Sequence, residues 1–163
     1  VLRPRAAQVR GILTGVDYDE WDPRRDRWLP RHFDADSLEV KAALKTDLMA
    51  RLRLEWGTRT ALFGIVSRFT PQKGLDLLFD TLPPLLATRD AALVALGNGD
   101  ARYEVFFEGL QARFPGRVVY RRGYDEGLAH WIEAAADIFL MPSLYEPCGL
   151  NQMYSLRYGT IPI

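Results

Sequence analysis

Two basic residues, Arg68 and Lys73, stand five positions apart in the segment "RFTPQKG", directly after an apolar run. Arginine offers a planar fork of donors and lysine a mobile point charge, a combination that suits the two phosphates of a nucleoside diphosphate. Gly74 would let the backbone approach such a ligand closely at the start of the next helix. Both cations could equally be ordinary solvated loop charges. The spacing alone leaves both interpretations open.

A second segment, "YEPCGL", places Glu146 in a loop before a helix. Pro147 fixes the backbone just after the acid, and a glycine opens the helix, so that free N–H groups could point at a sugar or phosphate oxygen. These would be the amides of Cys148, Gly149 and Leu150. An acid at this position could also do no more than interact favourably with the helix dipole.

The sequence contains one cysteine, Cys148. A single cysteine excludes an internal disulfide and a multi-cysteine metal site, so zinc is not expected, and it suits a reducing compartment. Neither of the two histidines, His32 and His130, lies near it in the sequence. We therefore interpret Cys148 as a small buried hydrophobe rather than a nucleophile.

Two further loops carry weaker signals. In "GYDE", Tyr124 could stack on a nucleotide base or could be a core tyrosine. In "GNGD", residues 97–100, the two glycines could approach a ligand or make a turn, and we favour the turn.

These loops follow short apolar runs that alternate with amphipathic ones, which is the pattern of βαβ units around a parallel sheet. Ligands of such sheets bind outside the carboxyl ends of the strands, near helix N-termini. We therefore predict an α/β fold, a Rossmann-like parallel sheet flanked by helices. The predicted strands are residues 61–67, 91–97, 117–122, 137–142 and 160–163.

The predicted helices have apolar residues at three-and-four spacing. Ser37 is a plausible N-cap of the first helix, Pro83 and Pro84 predict a kink or break near the end of the second, and Gly159 is expected at the C′ position of the last. We divide the chain into a connector and first strand, residues 1–36, and a Rossmann-like domain, residues 37–163.

The composition excludes several classes of protein. Hydrophobic residues make up 48% and charged residues 26%, as in globular proteins. Basic and acidic residues number 21 each, so nucleic acid and anionic membranes are not expected partners. No apolar run approaches the roughly 20 residues of a spanning helix, and the N-terminus is not of the signal-peptide type. We expect a soluble intracellular protein. Because the sequence lacks an initial Met and stops within a predicted strand, we expect a fragment.

Taken together, "GILTGVDYDEWDP", "GIVSRFTPQKGLDLL", "GYDE" and "ADIFLMPSLYEPCGLNQMYSLRYGT" resemble the bacterial glycogen synthase and plant starch synthase family. The resemblance implies the C-terminal half of a GT-B glycosyltransferase, with the acceptor domain absent from this chain. Residues 1–36 would then be the interdomain connector and first strand, and residues 37–163 the nucleotide-sugar-binding domain, truncated at its C-terminus. It also implies retaining transfer of glucose from ADP-glucose to the non-reducing end of an α-1,4-glucan, with release of ADP. No metal or other cofactor is expected, and the implied location is the bacterial cytoplasm or the plastid stroma.

The resemblance also assigns roles to individual residues. Arg68 and Lys73 match the pair that binds the diphosphate and stabilises the departing ADP, and Glu146 matches the acid that holds the glucosyl hydroxyls. Tyr124 matches the residue that stacks on adenine. The amides that grip the sugar and phosphate correspond to those of Cys148, Gly149 and Leu150.

Two positions bear on the family assignment. Tyr154 stands where many related retaining enzymes carry a second glutamate, as is usual in this family, which argues against a double displacement by paired carboxylates. Thr14 stands where the family usually has asparagine. Two alternatives remain at this stage: a non-catalytic nucleotide-sugar-binding module, and a glycosyltransferase of the same fold that uses a UDP-sugar.

Overall fold

The computed structural model describes residues 3–12, 14–55, 57 and 59–163. Its centre is a sheet of five strands in the order β3-β2-β1-β4-β5, in which every neighbouring pair is parallel. The predicted α/β fold with a parallel sheet is therefore confirmed. The strands are β1 (Ala61–Phe69), β2 (Ala91–Gly99), β3 (Val118–Arg122), β4 (Ile138–Phe139) and β5 (Ile161–Pro162).

In the described part of the chain, five α-helices cover the two faces of the sheet: α1 (Leu38–Arg51), α2 (Leu77–Thr88), α3 (Ala101–Arg113), α4 (Glu126–Ala135) and α5 (Leu150–Arg157). Helices α1 and α4 pack with Tyr158 on one face, and helices α2 and α3 pack on the other. The first seven residues of β2 are all buried, because both faces of a central parallel strand are covered. This double burial explains why the strands are continuous apolar runs rather than alternating ones.

Several element boundaries differ from the prediction. Strand β2 continues to Gly99, so "GNGD" is not a turn over its whole length: Gly97 pairs with Ser67 of β1, and a Cβ at Gly97 would overlap the Ser67 carbonyl oxygen. Glycine is needed there for close strand contact. Helix α2 runs through both prolines to Thr88, so it does not break at them.

The helix ends are partly as predicted. Ser37 does occupy the N-cap position of α1, but its hydroxyl donates to Asp34 Oδ1 (2.7 Å) instead of accepting a hydrogen bond from the helix. Gly159 has φ +68° and follows the C-cap of α5, Tyr158, as expected for a C′ glycine.

The prediction of a first strand within residues 1–36 is wrong, because the described residues of this region, 3–12 and 14–36, contain no strand. This region forms a short 3-10 helix, Arg3–Gln8, and then a series of turns. Two of the turns are closed by aspartate side chains, since Asp22 accepts from the Arg24 backbone N–H (3.1 Å) and Asp26 accepts from the Trp28 backbone N–H (2.8 Å). Such local hydrogen bonds compete with strand pairing.

The same turns pack onto the domain. Trp21 lies between the rings of His130 and Tyr154, with ring centroids 3.7 and 4.1 Å away. The buried Asp22 accepts from Arg157 of α5 at 2.7 Å. Leu29 and Phe33 belong to the core on the α1 and α4 face. Residues 21–33, which we call the connector turn, are therefore a structural part of the domain.

Two ionisable groups lie where helices α1 and α4 pack together: Glu133 of α4 is buried and Lys41 of α1 is half-buried. Burial raises the pKa of the Glu133 carboxyl to about 8. The hydrogen bond from the Ser155 hydroxyl and the nearby charge of Lys41 lower this pKa, but by less than burial raises it. Burial also lowers the pKa of Lys41 to about 8. The Lys41 ammonium instead donates to the Ala134 carbonyl (2.9 Å) and to Thr160 Oγ1 (2.7 Å).

We predict that Glu133→Gln flattens the dependence of stability on pH. Between pH 4.5 and about 8 the folded protein keeps the Glu133 proton that the unfolded chain releases, so the free energy of unfolding falls as pH rises. The variant should lose this slope, a change on the order of 2 kcal/mol or more across the window. Urea unfolding at pH 5 and pH 8 measures it. Equal slopes in the two proteins would contradict the prediction.

Among the described residues, no helix combines the length and the apolar character needed to cross a membrane.

Candidate functional site

The strand order creates one switch point in the sheet. From β1 the chain moves outward to β2 and β3, then returns to the other side of β1 as β4 and continues to β5. The connections that leave the carboxyl ends of β1 and β4 therefore diverge to opposite sides of the sheet, and a crevice forms between them. The loop after β1 carries Lys73, and the loop after β4 carries Glu146. The sheet brings these two predicted site residues together.

The two loops are in direct backbone contact. The Leu144 N–H donates to the Gln72 carbonyl, and the Gln72 side-chain amide donates to the Tyr145 carbonyl, both at 3.0 Å. Gly74 has φ +62°, and a Cβ there would overlap the Pro142 carbonyl oxygen. Gly74 therefore serves a loop-to-loop contact in this structure, rather than the approach to a ligand that its position in the sequence suggested.

An ion pair joins the side chains across this contact. Lys73 Nζ donates to Glu146 Oε2 at 2.7 Å, and Ser143 Oγ lies 3.4 Å from the same oxygen. The Lys73 and Glu146 side chains are only 20% and 26% exposed, so the pair is shielded more than a surface ion pair. The hydrogen bond from Lys73 is the main cause that lowers the pKa of Glu146, and the Gly149 backbone N–H contributes. The acid is therefore ionised at neutral pH.

A cleft of about 280 Å³ opens beside the ion pair. Its wall includes Arg68, Lys73 and Tyr124. Arg68 is the penultimate residue of β1 and so lies in the strand, not in the loop after it. Its side chain is exposed. Tyr124 is 73% exposed, which excludes the alternative of a core tyrosine. One cleft thus collects two cations and an exposed aromatic ring.

The third group of predicted site residues lies at the start of α5. Gly149 is the N-cap with φ +77°, and a Cβ there would meet the Gln152 side chain at 2.7 Å. Cys148 is a half-buried free thiol. Of the described residues that line the cleft and the small cavity next to it, none is Cys148, Gly149 or Leu150. These three residues are therefore not part of the cleft wall.

Sequence reasoning missed Asn151. This residue of the first turn of α5 donates from Nδ2 to the Val66 carbonyl of β1 at 2.9 Å. It lines both the cleft and the small cavity that contains Glu146. The available signal was a polar side chain in the first turn of a helix that follows the carboxyl end of a strand.

Tyr154 occupies the position of the second glutamate of many related enzymes. Its ring stacks on Trp21 of the connector turn with an angle of 7° between the planes. This position therefore packs the connector turn against α5 and supplies no second carboxylate.

A larger cleft of about 600 Å³ lies elsewhere, between the connector turn, α1 and α4. It is lined by Trp28, Trp131 and several arginines. Its size does not make it the better candidate, because it lies over the helices and not in the crevice at the switch point, where open parallel sheets bind their ligands.

Comparison with known proteins decides the family. The model of the family described as glycosyl transferases group 1 matches residues 60–163, which contain the sheet and the whole cleft. The chain belongs to this family of glycosyltransferases. The resemblance to bacterial glycogen synthases and plant starch synthases is confirmed by individual relatives. The glycogen synthase of Anaeromyxobacter dehalogenans is 53% identical over 163 residues, all of this chain and 34% of that protein.

Other relatives give the same result. The glycogen synthase of Koribacter versatilis is 52% identical over all of this chain and 33% of its own length. The catalytic domain of starch synthase IV from Arabidopsis thaliana, solved with ADP and acarbose bound, has a TM-score of 0.90 and 37% identity, covering 99% of this chain and 33% of that one. This glycosyltransferase chain spans about a third of the length of these relatives.

A C-terminal domain of a glycosyl transferase group 1 family protein from Francisella tularensis shows the fold alone. Its TM-score is 0.62 at 17% identity, over 91% of this chain and 69% of that one. The sheet flanked by helices is thus the architecture of the C-terminal half of GT-B glycosyltransferases, as predicted.

Proposed function

We propose that this chain is the donor-binding part of a glycogen or starch synthase, which transfers glucose from ADP-glucose to the non-reducing end of an α-1,4-glucan with retention. The observation that carries the proposal is the shielded Lys73–Glu146 ion pair at the switch point of the sheet. Relatives named glycogen synthase, about half identical over the whole chain, support the choice of reaction. Their bacterial origin supports a cytoplasmic location.

The two cations of the cleft act on the leaving group. When the bond from the anomeric carbon to the diphosphate breaks, negative charge grows on the departing ADP, and fixed cations stabilise that charge most where water is excluded. Lys73 has three N–H donors and uses one on Glu146, so two remain for phosphate oxygens. Arg68, which lines the same cleft, adds a planar fork of donors.

Glu146 has two functions in this proposal. It holds the Lys73 ammonium in place, and its remaining acceptor sites bind hydroxyls of the glucosyl group. Cys148, Gly149 and Leu150 do not line the cleft, and the Gly149 N–H is hydrogen-bonded to Glu146, so in this proposal the amides at the start of α5 hold the carboxylate in place instead of contacting the donor. Because Tyr154 replaces a second glutamate, the proposed route is front-side departure through an oxocarbenium-like state.

The exposed ring of Tyr124 is the proposed stacking surface for adenine. We expect Tyr124→Ala to weaken ADP binding about fivefold, from the loss of about 1 kcal/mol of aromatic contact. Isothermal titration with ADP measures this. Tyr18→Ala is the matched control, because Tyr18 is also exposed and lies outside the cleft. An unchanged ADP affinity in the Tyr124 variant would remove it from the donor site.

The proposed activity is tested with the full-length protein, glycogen and labelled donors. We expect glucose from ADP-glucose to enter α-1,4-glucan, and UDP-glucose to be used much less well. Preference for UDP-glucose would show a UDP-sugar enzyme of the same fold. Binding of ADP-glucose without incorporation would show a non-catalytic nucleotide-sugar-binding module.

A further inference from the structure

His130 of helix α4 has an environment that the glycosyl transfer does not explain. Its side chain is fully buried, and Nδ1 lies 2.8 Å from Asp26 Oδ2 of the connector turn. Asp26 accepts two further hydrogen bonds, from the Tyr158 hydroxyl (2.6 Å) and from the Trp28 backbone N–H (2.8 Å). Since a carboxylate only accepts, Nδ1 of His130 carries the proton.

The other nitrogen of the ring is then an acceptor. Nε2 of His130 is buried and has no hydrogen-bond partner in the described structure. A buried polar atom without a partner destabilises the folded protein, so a group that binds it would be favoured there. Trp21 covers one face of the ring and fixes its orientation.

Two acids complete a three-residue group with His130. One carboxylate oxygen from Glu20, one from Glu126 and a ring nitrogen of His130 lie within 4.8 Å of one another. With Nδ1 occupied by Asp26, the nitrogen free for this group is Nε2. Glu126 and His130 are four positions apart on α4 and so lie on one helix face. Glu126 is only partly buried and lies in the first turn of α4, which lets its carboxylate move inward.

The charges around the group suit a divalent cation. Glu20 uses one oxygen on Arg27 (2.7 Å), which leaves the other for a metal. Glu20, Glu126 and Asp26 carry three negative charges, and Arg27 supplies one positive charge. A divalent ion would bring this local sum to zero.

We propose that Glu20, Glu126 and His130 form a structural site for a divalent metal ion of the zinc class. One imidazole and two carboxylates are ligands that Zn²⁺ accepts, and a water would complete a tetrahedral set. Asp26, hydrogen-bonded to the opposite ring nitrogen, orients the histidine as the carboxylate partner of a metal-bound imidazole commonly does. The expectation from the sequence that zinc is absent considered cysteine ligands, and this group contains none.

The consequence would be a stabilised connector turn. The metal would tie Glu20, next to Trp21, to the first turn of α4. The group shares no residue with the Lys73–Glu146 ion pair or with the wall of the cleft, and Glu126 stands two positions after Tyr124 in the sequence.

Zinc titration of the metal-free protein tests the proposal. We expect one site with a dissociation constant below about 1 mM by calorimetry. The ¹⁵N resonance of His130 Nε2 should shift on addition of Zn²⁺. The Nδ1 resonance should remain that of a protonated nitrogen. Only two histidines occur, so the assignment can be checked with His32→Gln. Co²⁺ should give visible absorption bands of a low-coordinate site.

Glu126→Gln is the decisive variant, since this partly buried side chain in the first turn of α4 is replaced by an amide of the same size, which keeps the fold. We expect it to weaken Zn²⁺ binding at least about tenfold. The matched control is Glu108→Gln, an exposed glutamate of helix α3, which should leave binding unchanged. An unshifted His130 Nε2 at high Zn²⁺, or equal affinities in the two variants, would overturn the proposal.

Discussion

We expect Lys73→Ala to lower the turnover of the full-length protein on the order of 10²-fold, with about tenfold as the smallest loss consistent with a catalytic role. The reason is that Lys73 is one of two cations in the cleft and is held in place by Glu146 at 2.7 Å. A fixed charge near the departing diphosphate acts mainly in the transition state, so turnover should fall more than the affinity for the donor. Steady-state kinetics with ADP-glucose and glycogen measure both quantities.

Two companion variants define the cause. Lys73→Arg keeps the charge and should retain more activity than the alanine variant, whereas Arg113→Ala removes an exposed cation from helix α3 and should have no effect. The effects of Lys73→Ala and Glu146→Gln should not add, because the two side chains are in direct contact. Unchanged turnover in Lys73→Ala would remove this residue from the catalytic machinery.

Gly74→Ala has the largest expected effect on stability. The residue has φ +62°, and an added Cβ would overlap the Pro142 carbonyl oxygen, a backbone atom that cannot turn aside. The loop after β1 must therefore separate from the loop after β4, or the backbone must leave its left-handed conformation. We expect a loss of about 3 kcal/mol in the free energy of unfolding. Urea unfolding of the wild type and the variant measures it.

Two other glycines separate the two causes. Gly123 has φ +107° but open space around its Cβ position, so Gly123→Ala reports the cost of conformation alone, about 1 kcal/mol. Gly109 lies within helix α3 with open space, and Gly109→Ala should stabilise the protein by about 0.5–1 kcal/mol. A cost at Gly74 no greater than that at Gly123 would show that the two loops are not rigidly joined.

The same substitution should also affect the site. Gly74 follows Lys73 directly, so separation of the loops would lengthen the contact between Lys73 and Glu146. The activity of folded Gly74→Ala protein should therefore fall as well.

The fold could be predicted from the sequence because burial of both faces of the sheet leaves a strong trace. The buried part of β2 is a continuous apolar run, and the helices between the strands have a clear apolar face. Strand ends were harder to predict. The ends of β2 depend on Gly97 and Gly99, which lie against β1 backbone carbonyls, and no local pattern shows that contact.

The site could be predicted in part for a similar reason. The rule that ligands bind at the carboxyl ends of parallel strands selected the loops that contain Lys73 and Glu146. Their ion pair could not be predicted, because it depends on the close contact between Gly74 and Pro142, which are far apart in the sequence. The reason for Gly74 itself was misjudged for want of that contact.

The connector turn was the least predictable region. Its aspartates, arginines and tryptophans are typical of an irregular surface segment, yet Asp22 and Asp26 are buried. Their burial depends on partners more than 100 positions away, Arg157 and His130. Hydrophobic patterns carry no information on such polar pairs.

The proposed function requires that the donor's diphosphate binds in the crevice between the loops after β1 and β4. Titration of the ¹⁵N-labelled protein with ADP tests it most directly, because backbone amide shifts report where the ligand binds. We expect the largest shifts at Lys73, Tyr124 and Asn151, with small shifts elsewhere. Shifts concentrated around Trp28 and Trp131, in the larger cleft, with none at these three residues, would contradict it.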